Sequence, residues 1–295
     1  MKIALDPYMH RSLGLPEIAR LAAELDYRYL ELSPRDDFLP LFREPMATRE
    51  SIASLGQALR EVGTEVASTM VVYRWASTNP EERAQALDFF RRAAESALRV
   101  GCQTINTEFS GDPDRPAESE PAFLRSLEAL IPFLEKEGIL VDIEPHPGDF
   151  VEDNHTAVDL IRRVNSAHIR YLFCAPHSFH MGTDLAEMMR YSAPVLTHVH
   201  VADSLNFRAG LRYIVNPPGT SVRVHQHLAI GEGEVDWDIF FGTLAALGFD
   251  GILTSCVFAW EDRAMESSRL MRRRLQEYLD RYFRSPTKST TGGAG

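Results

Sequence analysis

Cysteine is scarce in this 295-residue chain: Cys102, Cys174 and Cys256 are the only three, far apart and without a CxxC pair. Such spacing argues against a disulfide framework and fits a reducing compartment, so a cytoplasmic protein is expected. Basic residues are in the minority, with 31 Lys and Arg against 42 Asp and Glu and a formal net charge of −11. Phosphate backbones and anionic headgroups are poor partners for such a chain, so neither nucleic acid nor a membrane surface is expected. No run approaches the ~18 apolar residues of a membrane span, and the apolar stretch before Asp6 is too short for the core of a signal peptide. Also missing are GxSxG, GxxxxGK[ST] and HExxH, which leaves serine hydrolase, P-loop and zincin chemistry without support. GEGEVD at Gly231–Asp236 begins like a dinucleotide loop, but Asp236 stands where the third glycine should be and no strand–helix unit frames it.

Short aliphatic or β-branched runs alternate with longer helical patterns, the signature of βα units on a parallel sheet. The runs are Ile3–Leu5, Tyr29–Leu32, Glu65–Val71, Thr104–Asn106, Leu140–Ile143, Arg170–Phe173, Leu196–Val201 and Gly251–Leu253. Between the third and fourth runs Asn79 can cap a helix, Pro80 suits its first position, and Glu81 and Glu82 suit its positive end. The stripe Ala86, Phe89, Phe90, Ala93 and Ala97 then faces a core. A helix-ending glycine precedes a run at Gly63, Gly101, Gly138 and Gly248, at intervals of about 37 residues or a multiple of it. Regular units filling the chain predict a closed (β/α)8 TIM barrel, an α/β single domain over residues 1–284, with 285–295 as a disordered tail. The long insertion 205–226 after the seventh run reads as a lid or as an oligomer contact.

Barrels of this kind build their sites at the C-terminal ends of the strands, and here those ends are polar. Asp6 follows the first run, Glu31 and Ser33 the second, Arg74 and Trp75 the third, and Asn106 and Glu108 the fourth. Glu144-Pro145-His146 closes the fifth, Cys174 through His180 the sixth, His198 through Asp203 the seventh, and Ser255-Cys256 the eighth. Six of the 10 histidines, His177, His180, His198, His200, His225 and His227, fall in one stretch, which points to metal or acid–base chemistry. Glu144 and His146 are two apart on an extended segment, as are His198 and His200, so each pair leaves on one face.

Glu after the fifth strand, Cys-x-x-His after the sixth, HVHVAD at the seventh and HxxIGEGEVDW beyond it resemble the xylose-isomerase-like sugar epimerase and isomerase barrels. The resemblance spans nearly the whole chain. Within it MKIALDP, NTEFSG, EPHPGDFVE, HSFHMG, LRYIVNPPG, VRVHQHL and TSCVF look like the branch serving myo-inositol catabolism, with carbon-glycoside-cleaving barrels as cousins.

The resemblance implies a divalent metal (Mn, Zn or Fe), a polyol or keto-sugar substrate, and proton transfer next to a carbonyl. Glu144 and His200 match two family metal ligands, and His177 matches a substrate-contacting histidine. Cys174 and Cys256 stand where the family has Asp and a second Glu, which favours one-sided isomerisation or β-elimination over two-base epimerisation. Either the two thiols ligate beside Glu144 and His200, a soft set suiting zinc, or His146 and His177 complete a set with Glu144 and His200. The second arrangement is expected, because thiolates are prone to oxidation, and both cysteines then pack as small apolar residues. Glu144, His177 and His146 are the expected catalytic groups, and Arg74, Trp75, Asn106, Glu108 and His227 the expected substrate contacts. The rival expectation is an accessory barrel that keeps the polyol pocket without catalysis.

Overall fold

The computed structural model describes residues 1–205, 227–259 and 261–283. The expected tail and nearly all of the 205–226 insertion, His225 included, lie outside them. In chain order the elements are β1 (Lys2–Leu5), α1 (Leu15–Glu24), β2 (Tyr29–Leu32), α2 (Arg49–Val62), β3 (Glu65–Met70) and α3 (Pro80–Arg99). They continue with β4 (Thr104–Glu108), α4 (Pro116–Glu137), β5 (Leu140–Glu144), α5 (Asn154–Val164), β6 (Ile169–Cys174) and α6 (Ala175–Met181). The last are α7 (Leu185–Ser192), β7 (Leu196–Val201), α8 (Trp237–Ala246), β8 (Ile252–Ser255) and α9 (Ala264–Tyr282). The eight strands are parallel and in sequential order, and β1 pairs with β8 to close a (β/α)8 barrel in one domain. Among the described residues no helix is long and apolar enough to cross a membrane.

Local chemistry sets the element ends. Asn79 accepts from the backbone of Glu81 at 2.9 Å, Asp153 from Thr156 at 2.8 Å and Asp236 from Ile239 at 3.0 Å, each satisfying a helix-start donor. Gly63, Gly101, Gly138 and Gly248 all have positive φ, the left-handed turn that lets a helix end and the chain enter the next strand. Apolar helix faces pack on the outside of the sheet, with Phe90, Phe123, Phe240 and Phe241 fully buried.

The inside of the barrel is different. Ala4, Ala67 and Ile252 pack with Tyr29 at its N-terminal end. Beyond them come Glu31, Ser68, Asn106, Asp142, His198 and Thr254, all at 0% exposure. Barrel interiors are usually filled by branched apolar side chains, so this polar filling must be hydrogen-bonded to be tolerated.

Four strands run further than the sequence suggests: β4 to Glu108, β5 to Glu144, β6 to Cys174 and β8 to Ser255. Polar side chains there look like loop residues in a sequence, but the ladder continues beneath them, pairing Glu108 with Glu144 and Cys174 with His200. The segment after β7 is organised by Asp203, fully buried. It accepts from the backbone of Ser204 at 2.9 Å, Gly231 at 2.8 Å and Val235 at 3.1 Å, and from Trp237 Nε1 at 2.9 Å. A Cβ on Gly233 would meet Asp203 and the Ser204 backbone at 2.3–2.6 Å. The GEGEVDW run is therefore a turn wrapped on a carboxylate.

Candidate active site

At the C-terminal end of the barrel, β5, β6 and β7 deliver Glu144, Cys174 and His200, with ligating atoms all within 4.8 Å of one another and all three residues buried. Glu144 Oε2 lies 3.5 Å from His200 Nδ1 and 3.5 Å from His177 Nδ1, yet accepts no hydrogen bond. Without a hydrogen bond that oxygen depends on positive charge close by, from the two imidazoles or from an ion. One carboxylate, one thiol and one imidazole converging on a common point form a donor set of zinc type.

Electrostatics bears on each member. Burial raises the Glu144 carboxyl, but the charges of His200 and His177 outweigh it and hold it well below the usual range. Burial likewise opposes ionisation of Cys174, yet the hydrogen bond with Cys256 and the charge of His177 leave its pKa well below that of a free thiol. Cys256 is driven the opposite way, well above a free thiol, by burial and by its partner Cys174. The pair is thus polarised, with the negative charge favoured on Cys174 and the proton on Cys256. Burial disfavours charge on His200, but Glu31 and Glu144 hold its pKa well above that of a free imidazole.

Two carboxyls near this centre have raised pKa values. Burial and the nearby Glu144 push Glu108 up to about 8, and burial with Glu31 pushes Asp6 up to about 7. His146 Nε2 lies 3.5 Å from Glu108 Oε1, and its ring meets that of His177 edge-on at 4.8 Å. On the far side of His177, His227 stands 3.2 Å away, nitrogen to nitrogen, with its ring stacked on Phe258 and its Nδ1 2.8 Å from the Cys256 carbonyl. A hydrogen at that nitrogen serves the carbonyl and leaves Nε2 to face His177.

The family model for xylose isomerase-like TIM barrels matches residues 19–274 of this chain. The chain belongs to that family. No curated protein sequence matches it. Among solved structures, the IolI protein with a bound zinc atom superposes with a TM-score of 0.79 at 16% identity, covering 97% of this chain and 100% of that one. A D-tagatose 3-epimerase-like protein gives 0.73 at 18% identity over 96% and 98% of the two chains. The 3-keto-D-glucoside 4-epimerase YcjR from E. coli gives 0.72 at 18% identity over 94% and 99%. At these identities the likeness is one of fold.

Within this xylose isomerase-like barrel the expected site residues separate into groups. Glu144, His177 and His200 come together, with His227 and Glu108 beside them. His146 turns to Glu108 and the His177 ring, and it belongs to none of the metal-type groups found among the described residues. Asn106 points into the barrel and donates to Glu31. Trp75 faces the helix layer, stacked on Phe90 at 5.4 Å and edge-on to Phe123, while its Nε1 donates to the Glu108 carbonyl at 2.9 Å. Its contact with the site is through the Glu108 backbone. Arg74 is half-exposed, 3.6 Å from Glu82 and over the Phe42 ring.

Two contributors named from the sequence as polar strand residues were given no role in the site there, Glu31 and His198. Glu31 Oε1 is 2.9 Å from His200 Nε2, and His198 Nε2 is 3.3 Å from Glu31 Oε2. Their signal was available: His198 shares a face with His200, and an acidic residue inside β2 has no apolar reason to be there.

Proposed function

We propose that this protein is a metal-dependent isomerase or lyase of polyhydroxylated ketones that moves a proton next to a carbonyl. The observation that carries the reading is the convergence of Glu144, Cys174 and His200 where a barrel of this family does its chemistry. Cys174 as a thiolate ligand makes zinc the preferred ion over manganese or iron. When bound, the ion polarises a carbonyl and a neighbouring hydroxyl and lowers the cost of negative charge on oxygen.

The chain's own groups do the rest. Glu144 is a carboxylate placed to hold the ion and take a proton from carbon on its face of the pocket. Glu108 carries a proton at neutral pH and, oriented by Trp75 through its carbonyl and by His146 at its carboxyl, returns it to oxygen. His177, between Glu144 and His227, orients a substrate hydroxyl. Cys256 occupies the position of a second base but keeps its proton, so the opposite face has no group to deprotonate carbon. One-sided chemistry follows: isomerisation, or β-elimination that expels an alkoxide, the reaction a keto-glycoside-cleaving lyase performs. Keto-inositols and related keto-sugars from inositol breakdown in the cytoplasm are the substrate class we favour, with no nucleic acid partner.

The test is metal content by plasma mass spectrometry together with turnover of keto-inositols and keto-sugars. About one equivalent of zinc is expected, and Glu144→Gln with His200→Ala should abolish metal and turnover together. A protein that binds no zinc, manganese or iron, yet still binds polyols, would be the accessory barrel instead.

A further inference from the structure

Resting on the metal centre proposed above, we infer that Glu31 is a positioning residue that locks the orientation and tautomer of His200. The two lie on opposite sides of the barrel interior, Glu31 on β2 and His200 on β7, with Glu31 Oε1 2.9 Å from His200 Nε2. Neither atom has an aligned hydrogen bond, so the contact is an ion pair, and since a carboxylate oxygen only accepts it is favourable with a proton on Nε2. Nδ1 is then the nitrogen that faces Glu144 and Cys174, available to an ion once its own proton has left. A histidine ligand whose second nitrogen is held by a carboxylate has a fixed ring plane and a more basic ligating nitrogen.

Glu31 is itself immobilised. Ser68 donates to its Oε2 at 2.7 Å from β3, Thr254 at 3.1 Å from β8, and Asn106 also donates from β4. His198 adds a further contact at 3.3 Å to the same oxygen, and its other nitrogen lies 3.4 Å from Asp142 Oδ2. Asp142 is clamped in turn by Arg170 at 2.7 and 3.1 Å and by Thr197 at 2.8 Å. The frame therefore runs from the N-terminal end of the barrel to His200.

Glu31, His198 and His200 also bring ligating atoms within 4.8 Å of one another, which could suggest a second cation site. The hydrogen bonds argue otherwise. Glu31 Oε2 is already occupied by three donors and Thr254 Oγ1 sits 2.8 Å from His198 Nε2, which leaves only Glu31 Oε1 and His200 Nε2 facing each other without a hydrogen bond, fewer atoms than a zinc-type site needs. The group orients a ligand rather than holding an ion.

The experiment is Glu31→Gln in the full-length protein, which keeps volume and removes charge. Zinc affinity is read by competition with a chromogenic chelator, the cobalt-substituted protein by its visible absorption, and His200 by nitrogen–proton correlation NMR of its ring. We expect zinc affinity to fall about 10–100-fold, the cobalt bands to shift, and the downfield, slowly exchanging Nε2 proton of wild-type His200 to be lost. Unchanged affinity, cobalt spectrum and Nε2 proton in a folded variant would overturn the inference. Should the variant not fold, Ser68→Ala removes one donor to Glu31 without touching His200, and the same three readouts must move in the same direction by a smaller amount. The two readings fail separately. Wild type that binds neither zinc nor cobalt refutes the metal centre, whereas the Nε2 proton reports on Glu31 in metal-free protein as well.

Discussion

Cys174 on β6 and His200 on β7 are register partners, so a thiol and an imidazole stand side by side on one inward face. Parallel pairing fixes that juxtaposition through the backbone, and Glu144 completes it from β5, the next strand round. The family pattern puts an aspartate at Cys174. A sulfur there would change which ions the proposed centre accepts.

Replacing Cys174 by Asp should shift the preference from zinc towards manganese by about tenfold, since a hard oxygen replaces a soft sulfur. Cys174→Ala should weaken zinc binding by a similar factor or more. Competition titrations of the two ions measure this, and a zinc-to-manganese ratio identical to wild type would show that the sulfur does not ligate.

Zinc binding should become tighter as pH rises through neutrality. In metal-free protein the two carboxylates beside His200 hold its pKa well above that of a free imidazole, so Nδ1 carries a proton that the ion must displace. Cys174, whose pKa is held well below that of a free thiol, is expected to add little to that count. Calorimetric titration in buffers of different ionisation enthalpy should therefore report about one proton released per zinc near pH 7. Heats independent of the buffer would contradict the arrangement.

Metal-free protein should lose stability as pH rises from about 4.5 to about 8. Glu108 has a folded-state pKa raised to about 8, and Asp6 and Asp149 are raised to about 7, so the folded chain binds more protons than the unfolded one across that window. Stability then falls with rising pH and levels off above the folded values. Glu108→Gln removes its share, on the order of a few kcal/mol. Urea unfolding at both ends of the window should show a smaller difference for the variant than for wild type, and an equal difference would rule out a raised Glu108.

Below that window the sign reverses for Glu31. Burial would raise its pKa, but His200, His198 and Ser68 hold it at about 2. Its stabilising contribution is complete above about pH 4.5 and is lost as pH falls towards 2. Acid unfolding should accordingly begin at a higher pH in Ser68→Ala, where one donor to the carboxylate is missing. Coincident acid transitions for variant and wild type would argue against it.

Asp203→Ala should be among the more damaging single changes outside the metal centre. Four donors converge on this carboxylate, and losing it leaves several of them buried and unsatisfied. A cost of about 3 kcal/mol or more is expected. Thermal unfolding measures it, and a melting temperature within a degree or two of wild type would mean that water replaces the carboxylate.

The barrel was legible in the chain because its causes are local: strand runs, the Asn79 cap and the left-handed glycines each act within a few residues. That Glu144, His177 and His200 would lie close together was legible for a similar reason, since all three are polar residues at strand ends of a barrel. Strand length was not, because an inward-facing carboxylate and a loop carboxylate read alike until the ladder beneath them is seen. The directions of Trp75 and His146 were equally hidden, since a strand-end position does not say whether a side chain meets the helices, the pocket or a neighbour. Above all, the pairing of Glu31 with His200 joins residues far apart in sequence across the inside of a closed sheet. Alternation along a strand tells which side chains point inward, but only closure of the barrel decides which of them meet there.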